Sequence, residues 1–414
     1  MPSTSLPERG RREAAGESSD AQRAAVDLGK LERMNLPNGF RSSGVKAGIK
    51  KSGNPDVALI VCDAPCAWAL STTQNLAAAA SVLRARALYS SGAALQAIVV
   101  NAGNANCVTG ERGVRTDRRM AEIAAAELGL EAALVLTAST GVIGVQLPVE
   151  KLEVGIPAAR VALSGDVTAA ATAIMTTDLT MKVAEVTLSG GARVVGFCKG
   201  SGMIHPNMAT MLAFVVTDAL LEQDRLRSAF AGIVARTFNA ITVDGDTSTN
   251  DMAVVMSSGR VACDAQEGLQ ALEAVMRDLA KQIARDGEGA TKLLTVNVTG
   301  APSEADALKA ARTVAGSSLL KSAVYGNDPN WGRILAALGR SEVIFEPTRA
   351  SVSVQGIAVF AGQPLEFDQA AASSAMRSAD VVIDVDLGAG NASGTAWGCD
   401  LTEAYVRINA EYTT

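Results

Sequence analysis

The stretch KGSGMIHPNMATMLAF, Lys199 to Phe214, sets Thr210 between a small-residue turn containing Pro206 and an apolar run. A threonine hydroxyl is a nucleophile only if something takes its proton. The chain holds one histidine, His205. A Ser-His-Asp or Cys-His site would have to use it, and metal sites built on several histidines are excluded. The economical base is then the threonine's own α-amine, whose ordinary pKa of ~7.7–8.0 lies near working pH. That amine exists only if the Ala209–Thr210 bond is cut. The local pattern leaves three readings open: self-cleavage ahead of Thr210, His205 as base, or an ordinary junction of loop and strand.

Other stretches carry weaker chemistry. TASTGVIG, residues 137–144, puts Thr140 and Gly141 in a turn after a strand. Such a turn can aim a hydroxyl and a backbone N–H at one point, as an oxyanion hole requires, but strand-end turns of this composition are common. DGDTSTND, residues 244–251, starts like a calcium loop. Thr249 stands where the loop needs glycine, and Val255 where it needs a bidentate glutamate. Short polar side chains bonding their own backbone explain it better, with a place around the substrate as the alternative. No G-x-x-x-x-G-K-[ST] loop exists, and GSGMIH has His205 where a third glycine belongs, so nucleotide binding has little support.

The elements that must position these residues read as alternating strands and helices. VALIVCD and AIVVNAG are buried strands, and ALVLTASTGVIG is a strand running into a polar turn. One strand reaches Phe197 and another starts near Met211. RTDRRMAEIAAAELGL, EQDRLRSAFAGIVARTFNAIT and LQALEAVMRDLAKQIARDGEGA are helices by apolar spacing, the last ending at Gly287. After strand LLTVNVTGA the pattern restarts with one helix over SEADALKAARTVAGSSLLKSAVYG. Short strands follow at EVIFEP, SVSVQG, IAVFAG, VVIDVDLG and AYVRINA. The fold class expected is α/β with mixed sheets: a layered core over 34–300, a smaller α+β domain over 301–414, and a mobile polar extension over 1–33.

Composition narrows the function classes. The net charge of -6 implies no basic face and argues against nucleic acid. No apolar run approaches the ~18 residues of a membrane span, and the start shows no signal-peptide core. The six cysteines are scattered, and the Cys62-to-Cys66 spacing has no second pair to make a zinc site. They read as free thiols in a reducing cytoplasm.

KGSGMIHPNMATMLAF resembles the self-cleavage segment of the glutamate N-acetyltransferase family, also called the ornithine acetyltransferase family. GFRSSGVKAGIK, IVVNAGNANCVTG, TASTGVIG, IMTTD, TVDGDTSTND, DGEGATK, YGNDPNWGR, VVIDVDLG and VRINAEYTT resemble family blocks in the family order, from about Met34 to Thr414. CAWALSTTQNLAAAASV departs from the block usual at its place, and the extension before Met34 has no counterpart.

The resemblance implies an N-terminal-nucleophile-like enzyme made as one precursor. Thr210 would cut the bond after Ala209, giving an α chain, 1–209, and a β chain, 210–414, assembled as an α2β2 heterotetramer. Thr210 would then carry the acetyl group from N-acetylornithine to glutamate, without metal or organic cofactor; acetyl-CoA would serve as a second donor in bifunctional members. By the same likeness Thr140 and Gly141 form the oxyanion hole. Lys199, Glu288, Asn409, Thr414 and one threonine of IMTTD, Thr177 in preference to Thr176, bind substrate. Rival readings are an acetyltransferase of secondary metabolism, an amidase or aminopeptidase with the same nucleophile, and a precursor that never cleaves.

Overall fold

The computed structural model describes residues 34–205 and 211–411. Eight strands form the first sheet: β1 (Phe40–Val45), β2 (Val57–Thr72), β3 (Leu95–Asn104), β4 (Val135–Val142), β5 (Lys182–Thr187), β6 (Arg193–Lys199), β7 (Leu212–Ala219) and β8 (Met252–Val261). Their order is β4-β3-β2-β8-β7-β6-β5, with β1 paired to β2. The pairs β3–β4 and β7–β8 are parallel and the others antiparallel. The first half of β2 pairs with β1 and β3 and its second half with β8, so this one long strand serves two half-sheets.

Alternation along the strands sorts the apolar residues into layers. Val57, Leu59, Ala97 and Val99 face helices α2 and α3, whereas Ala58, Ile60, Ile98 and Val100 share a cluster with Val195, Phe197, Phe214 and Val254 of the other half-sheet. The opposite face of that half-sheet, with Val194, Ala213, Val215 and Val255, packs on α5 and α6. The layers therefore run helix, sheet, sheet, helix. The helices concerned are α1 (Ala80–Ser90), α2 (Gly110–Leu128), α3 (Val149–Val161), α4 (Thr168–Ile174), α5 (Gln223–Arg236) and α6 (Ala265–Arg285). Three of the sequence-expected helices form here as α2, α5 and α6. α2 closes on Gly129 in the left-handed conformation, at φ 68°.

The second sheet has the order β11-β10-β12-β9-β13. Its strands are β9 (Leu293–Ala301), β10 (Ser351–Val354), β11 (Ile357–Ala361), β12 (Asp380–Asp386) and β13 (Ala392–Cys399). Around them lie α7 (Glu304–Ala315), α8 (Ser318–Tyr325), α9 (Trp331–Gly339), α10 (Gln369–Ala375) and α11 (Glu403–Glu411). β9 pairs with β12 and β13, so the passage between the sheets lies in the segment after α6 and not at residue 300.

Three local expectations change. The single helix over 303–326 is two, because Ser317 interrupts it and caps the second half, accepting from the Leu320 N–H. EVIFEP makes no strand, and Glu342 sits at φ 61°. AYVRINA lies in helix α11 instead of a strand, since its Ala and Arg residues and the flanking Glu403 and Glu411 favour a helix when no ladder claims them. Among the described residues no helix is long and apolar enough to cross a membrane.

Candidate active site

Gly141 occupies the end of β4 at φ 133°. A Cβ there would lie 2.3 Å from the carbonyl carbon of Gly103 on the parallel neighbour β3, so only glycine fits this close approach. Thr140, one residue earlier, is buried and lines a cleft with Gly141. The strand end is clamped from the polar loop before β8. The Asn250 amide donates to the carbonyls of Ala105 (2.6 Å) and Ser139 (2.8 Å), and Thr249 Oγ1 donates to Asn250 Oδ1 (2.7 Å).

The DGDTSTND loop thus has two parts. Its first part is structural: the Asp244 carboxylate accepts from the N–H groups of Met203 (2.5 Å) and Ile204 (2.8 Å), supporting Met203 at φ 56°. Its last four residues, Ser248 to Asp251, line the cleft. The structural reading applies to both halves, and the second half also lies where the substrate-side alternative would place it.

Lys199 ends β6 and faces the same cleft, with its Nζ 3.4 Å from Thr140 Oγ1. Burial pushes its ammonium below the ordinary lysine range; Asp178 opposes this, Lys182 adds to it, and Asp251 and Glu288 pull it back in part. Thr176 and Thr177 both line the cleft from the turn after α4, so the structure brings both threonines of IMTTD to it.

The far wall comes from the second half of the chain. Glu288 sits in the segment after α6, so close to Gly202 that any side chain at 202 would meet its carboxylate at 2.3 Å. Asn409 of α11 donates from Nδ2 to Glu288 Oε2 (2.9 Å) and to the Tyr405 carbonyl (3.0 Å). Thr140, Gly141, Thr177, Lys199, Glu288 and Asn409 therefore converge on one cleft. Ala209, Thr210 and Thr414 lie outside the described residues, as does segment 1–33. Of the two described residues that flank 206–210, Met211 lines the cleft. His205 does not line it; its Nδ1 is 2.9 Å from Thr242 Oγ1, and burial lowers its pKa.

Sequence reasoning missed Asp178, Lys182 and Asp286. Lys182 is completely buried, with Nζ 2.8 Å from Asp178 Oδ1 and 2.5 Å from Asp286 Oδ2. Its place on an edge strand, in the alternating run KVAEVT, gave no sign of this.

Comparison with known proteins fits the geometry. Residues 41–414 match the model of the ArgJ family. The chain belongs to the ArgJ family. It is 58% identical to the arginine biosynthesis bifunctional protein ArgJ of Thermus thermophilus, over 92% of this chain and all of that one. The protein of the same description from Deinococcus radiodurans is 57% identical, over 93% of this chain and 99% of that one. Among solved structures, the ornithine acetyltransferase of Mycobacterium tuberculosis complexed with ornithine is 34% identical, over 43% of this chain and 98% of that one, with a TM-score of 0.38. Family membership and the α/β layers agree with the sequence reading, and residues of the quoted blocks line the cleft.

Proposed function

We propose that this chain is an acetyltransferase of arginine biosynthesis that moves an acetyl group from N2-acetylornithine to glutamate through an ester on Thr210. The observation that carries this reading is the convergence of Thr140, Gly141, Lys199 and Glu288 in a chain of this family. Self-cleavage after Ala209 gives Thr210 a free α-amine. That amine takes the hydroxyl proton as Oγ attacks the acetyl carbonyl, and ornithine leaves with the proton on its nitrogen. The glutamate amine then attacks the ester, returns the hydroxyl to Thr210 and departs as N-acetylglutamate.

Both half-reactions pass through a tetrahedral oxyanion, which Thr140 Oγ1 and the Gly141 N–H stabilise at a place fixed by the β3–β4 contact. The Lys199 ammonium pairs with the α-carboxylate that donor and acceptor share. Glu288, with Asn409 and Thr414 closing over it, meets the ornithine side-chain ammonium, and Thr177 supports the bound substrate. Water, as acceptor, would make the enzyme an amidase. The reaction needs no metal or organic cofactor. A cytoplasmic setting and an α2β2 assembly of the cleaved chains belong to the same reading.

Denaturing electrophoresis tests the first step. The wild-type chain should run as two fragments near half its mass and Thr210→Ala as one band; a wild-type chain that stays whole overturns the mechanism. Product analysis tests the second, since acetate released at full rate without glutamate would mean hydrolysis. An acetyl-CoA assay decides whether glutamate also accepts from that donor, as the word bifunctional in the relatives' names suggests.

A further inference from the structure

We propose that Asp178, Lys182 and Asp286 form a buried positioning triad that holds three walls of the cleft in register and sets Asp178 as the anion beside Lys199. This rests on the reading of Lys199 as the group that pairs with the substrate carboxylate.

The hydrogen bonds of the triad reach every segment that supplies the substrate-facing groups of this half of the cleft. Asp178 accepts from the Thr176 N–H (2.9 Å) and, from across the sheet edge, from the Gly200 N–H (2.6 Å). Asp286 accepts from the Leu179 N–H (3.1 Å), and its own carbonyl accepts from Ser201 Oγ (2.6 Å). The Ser201 carbonyl in turn accepts from the Glu288 N–H (3.1 Å). Lys182 lies between the two carboxylates and also donates to the Thr180 carbonyl (3.2 Å). The Thr176–Thr177 turn, the Lys199–Met203 segment and the Glu288 segment are therefore tied to one ammonium group.

Stability alone does not call for this arrangement. A buried ion cluster is commonly replaced by apolar side chains without loss, because the attraction only offsets the desolvation of the charges. What apolar side chains cannot do is bind the N–H groups of two separate segments or bias a neighbouring charge. Asp178 stands between Lys182 and Lys199 and favours the charged form of both. The charged groups that bear on Lys199 are Asp178, Lys182, Asp251, Glu288 and, from the loop before β2, Lys50. Neither of the two cations, Lys182 and Lys50, lines the cleft itself.

The test is the alkaline limb of kcat/KM for N-acetylornithine, where activity falls as Lys199 loses its proton. Asp178→Asn removes the anion beside Lys199, so the limb should move down by about one pH unit, and loss of the Thr176 and Gly200 anchor should lower kcat/KM by about 10²-fold. The double variant Lys182→Met/Asp286→Asn removes one cation and one carboxylate together, which favours folding, and should move the limb up by about as much. A purely structural cluster would lower the melting temperature of both variants and leave the limb in place. Lys199→Met separates this proposal from the reading it rests on. A limb that persists in Lys199→Met overturns the substrate role of Lys199, and the proposal with it. A limb lost there but unmoved in the other two folded variants overturns the triad alone. Opposite displacements in those two variants establish it.

Discussion

Asp178 and Asp117 are both buried aspartates, yet their surroundings drive them in opposite directions. Burial alone would raise Asp178, but Lys182, Lys199 and the hydrogen bonds from Lys182 and the Thr176 N–H outweigh it and hold the carboxyl well below the usual range. Asp117, on the inner face of α2, leaves Oδ1 without a hydrogen-bond partner. Its nearest cation, Arg84, donates instead to the carbonyls of Val135 and Ala132, both at 2.8 Å. Burial pushes Asp117 up to about 6, and the Thr137 hydroxyl and Arg84 offset only part of the rise. The contrast shows that depth does not decide the state of a buried acid. The donors within reach do. Where the cleft needs a fixed charge, Lys182 and the N–H groups of Thr176 and Gly200 supply donors; in the outer helical layer only the Thr137 hydroxyl and the more distant Arg84 bear on the acid.

The largest expected effect breaks the pocket side of this contrast. Lys182→Met leaves two carboxylates facing each other and should cost about 3–5 kcal/mol. Urea unfolding of the uncleaved Thr210→Ala chain measures it, and a loss under about 1 kcal/mol would show that the triad has other cations to draw on.

Asp117→Asn should act in the other direction and stabilise the protein at pH 7–8 by about 1–3 kcal/mol, the cost of holding the carboxylate where it titrates near 6. The sign follows from proton linkage. The folded state binds the Asp117 proton more tightly than the unfolded chain, so the cost is absent below about pH 4, grows as pH rises toward about 6, and is complete above it. The gain from Asp117→Asn should therefore vanish below about pH 4, whereas the contribution of Asp178, whose folded pKa is depressed, is present above that range and is lost as pH falls. Unfolding curves at pH 4 and pH 8 compare the two, and an equal effect of Asp117→Asn at both would refute the assignment.

Glu288→Gln keeps the bond from Asn409 but removes the charge, so the KM for N-acetylornithine should rise about tenfold or more with a smaller change in kcat. An unchanged KM would remove Glu288 as the partner of the ammonium group. The smallest effect is expected from Ser201→Ala, which removes one hydrogen bond to the Asp286 carbonyl and should cost about 1 kcal/mol, read from the same unfolding experiment.

Much of this was legible in the amino-acid sequence. Thr140-Gly141 at a strand end and helices α2, α5 and α6 follow from local pattern. The family blocks name Lys199, Glu288 and Asn409. AYVRINA, the helix broken at Ser317 and the passage between sheets were misread because their outcome depends on partners distant in sequence. Alternation in AYVRINA suits a strand only if a neighbouring strand is there to receive it.

By itself, then, the sequence determined the family and offered Thr140, Gly141 and Thr210 as candidates, because covalent order and residue type are enough for that. Only the tertiary structure decided that Asn409 meets Glu288 across 121 positions and that Lys182 lies inside, 104 positions from Asp286. A lysine on an alternating edge strand looks solvated until the register of β5 against β6, and the seat of α6 upon them, exclude water from it. Burial is a property of what packs against a residue, and no local stretch contains that information.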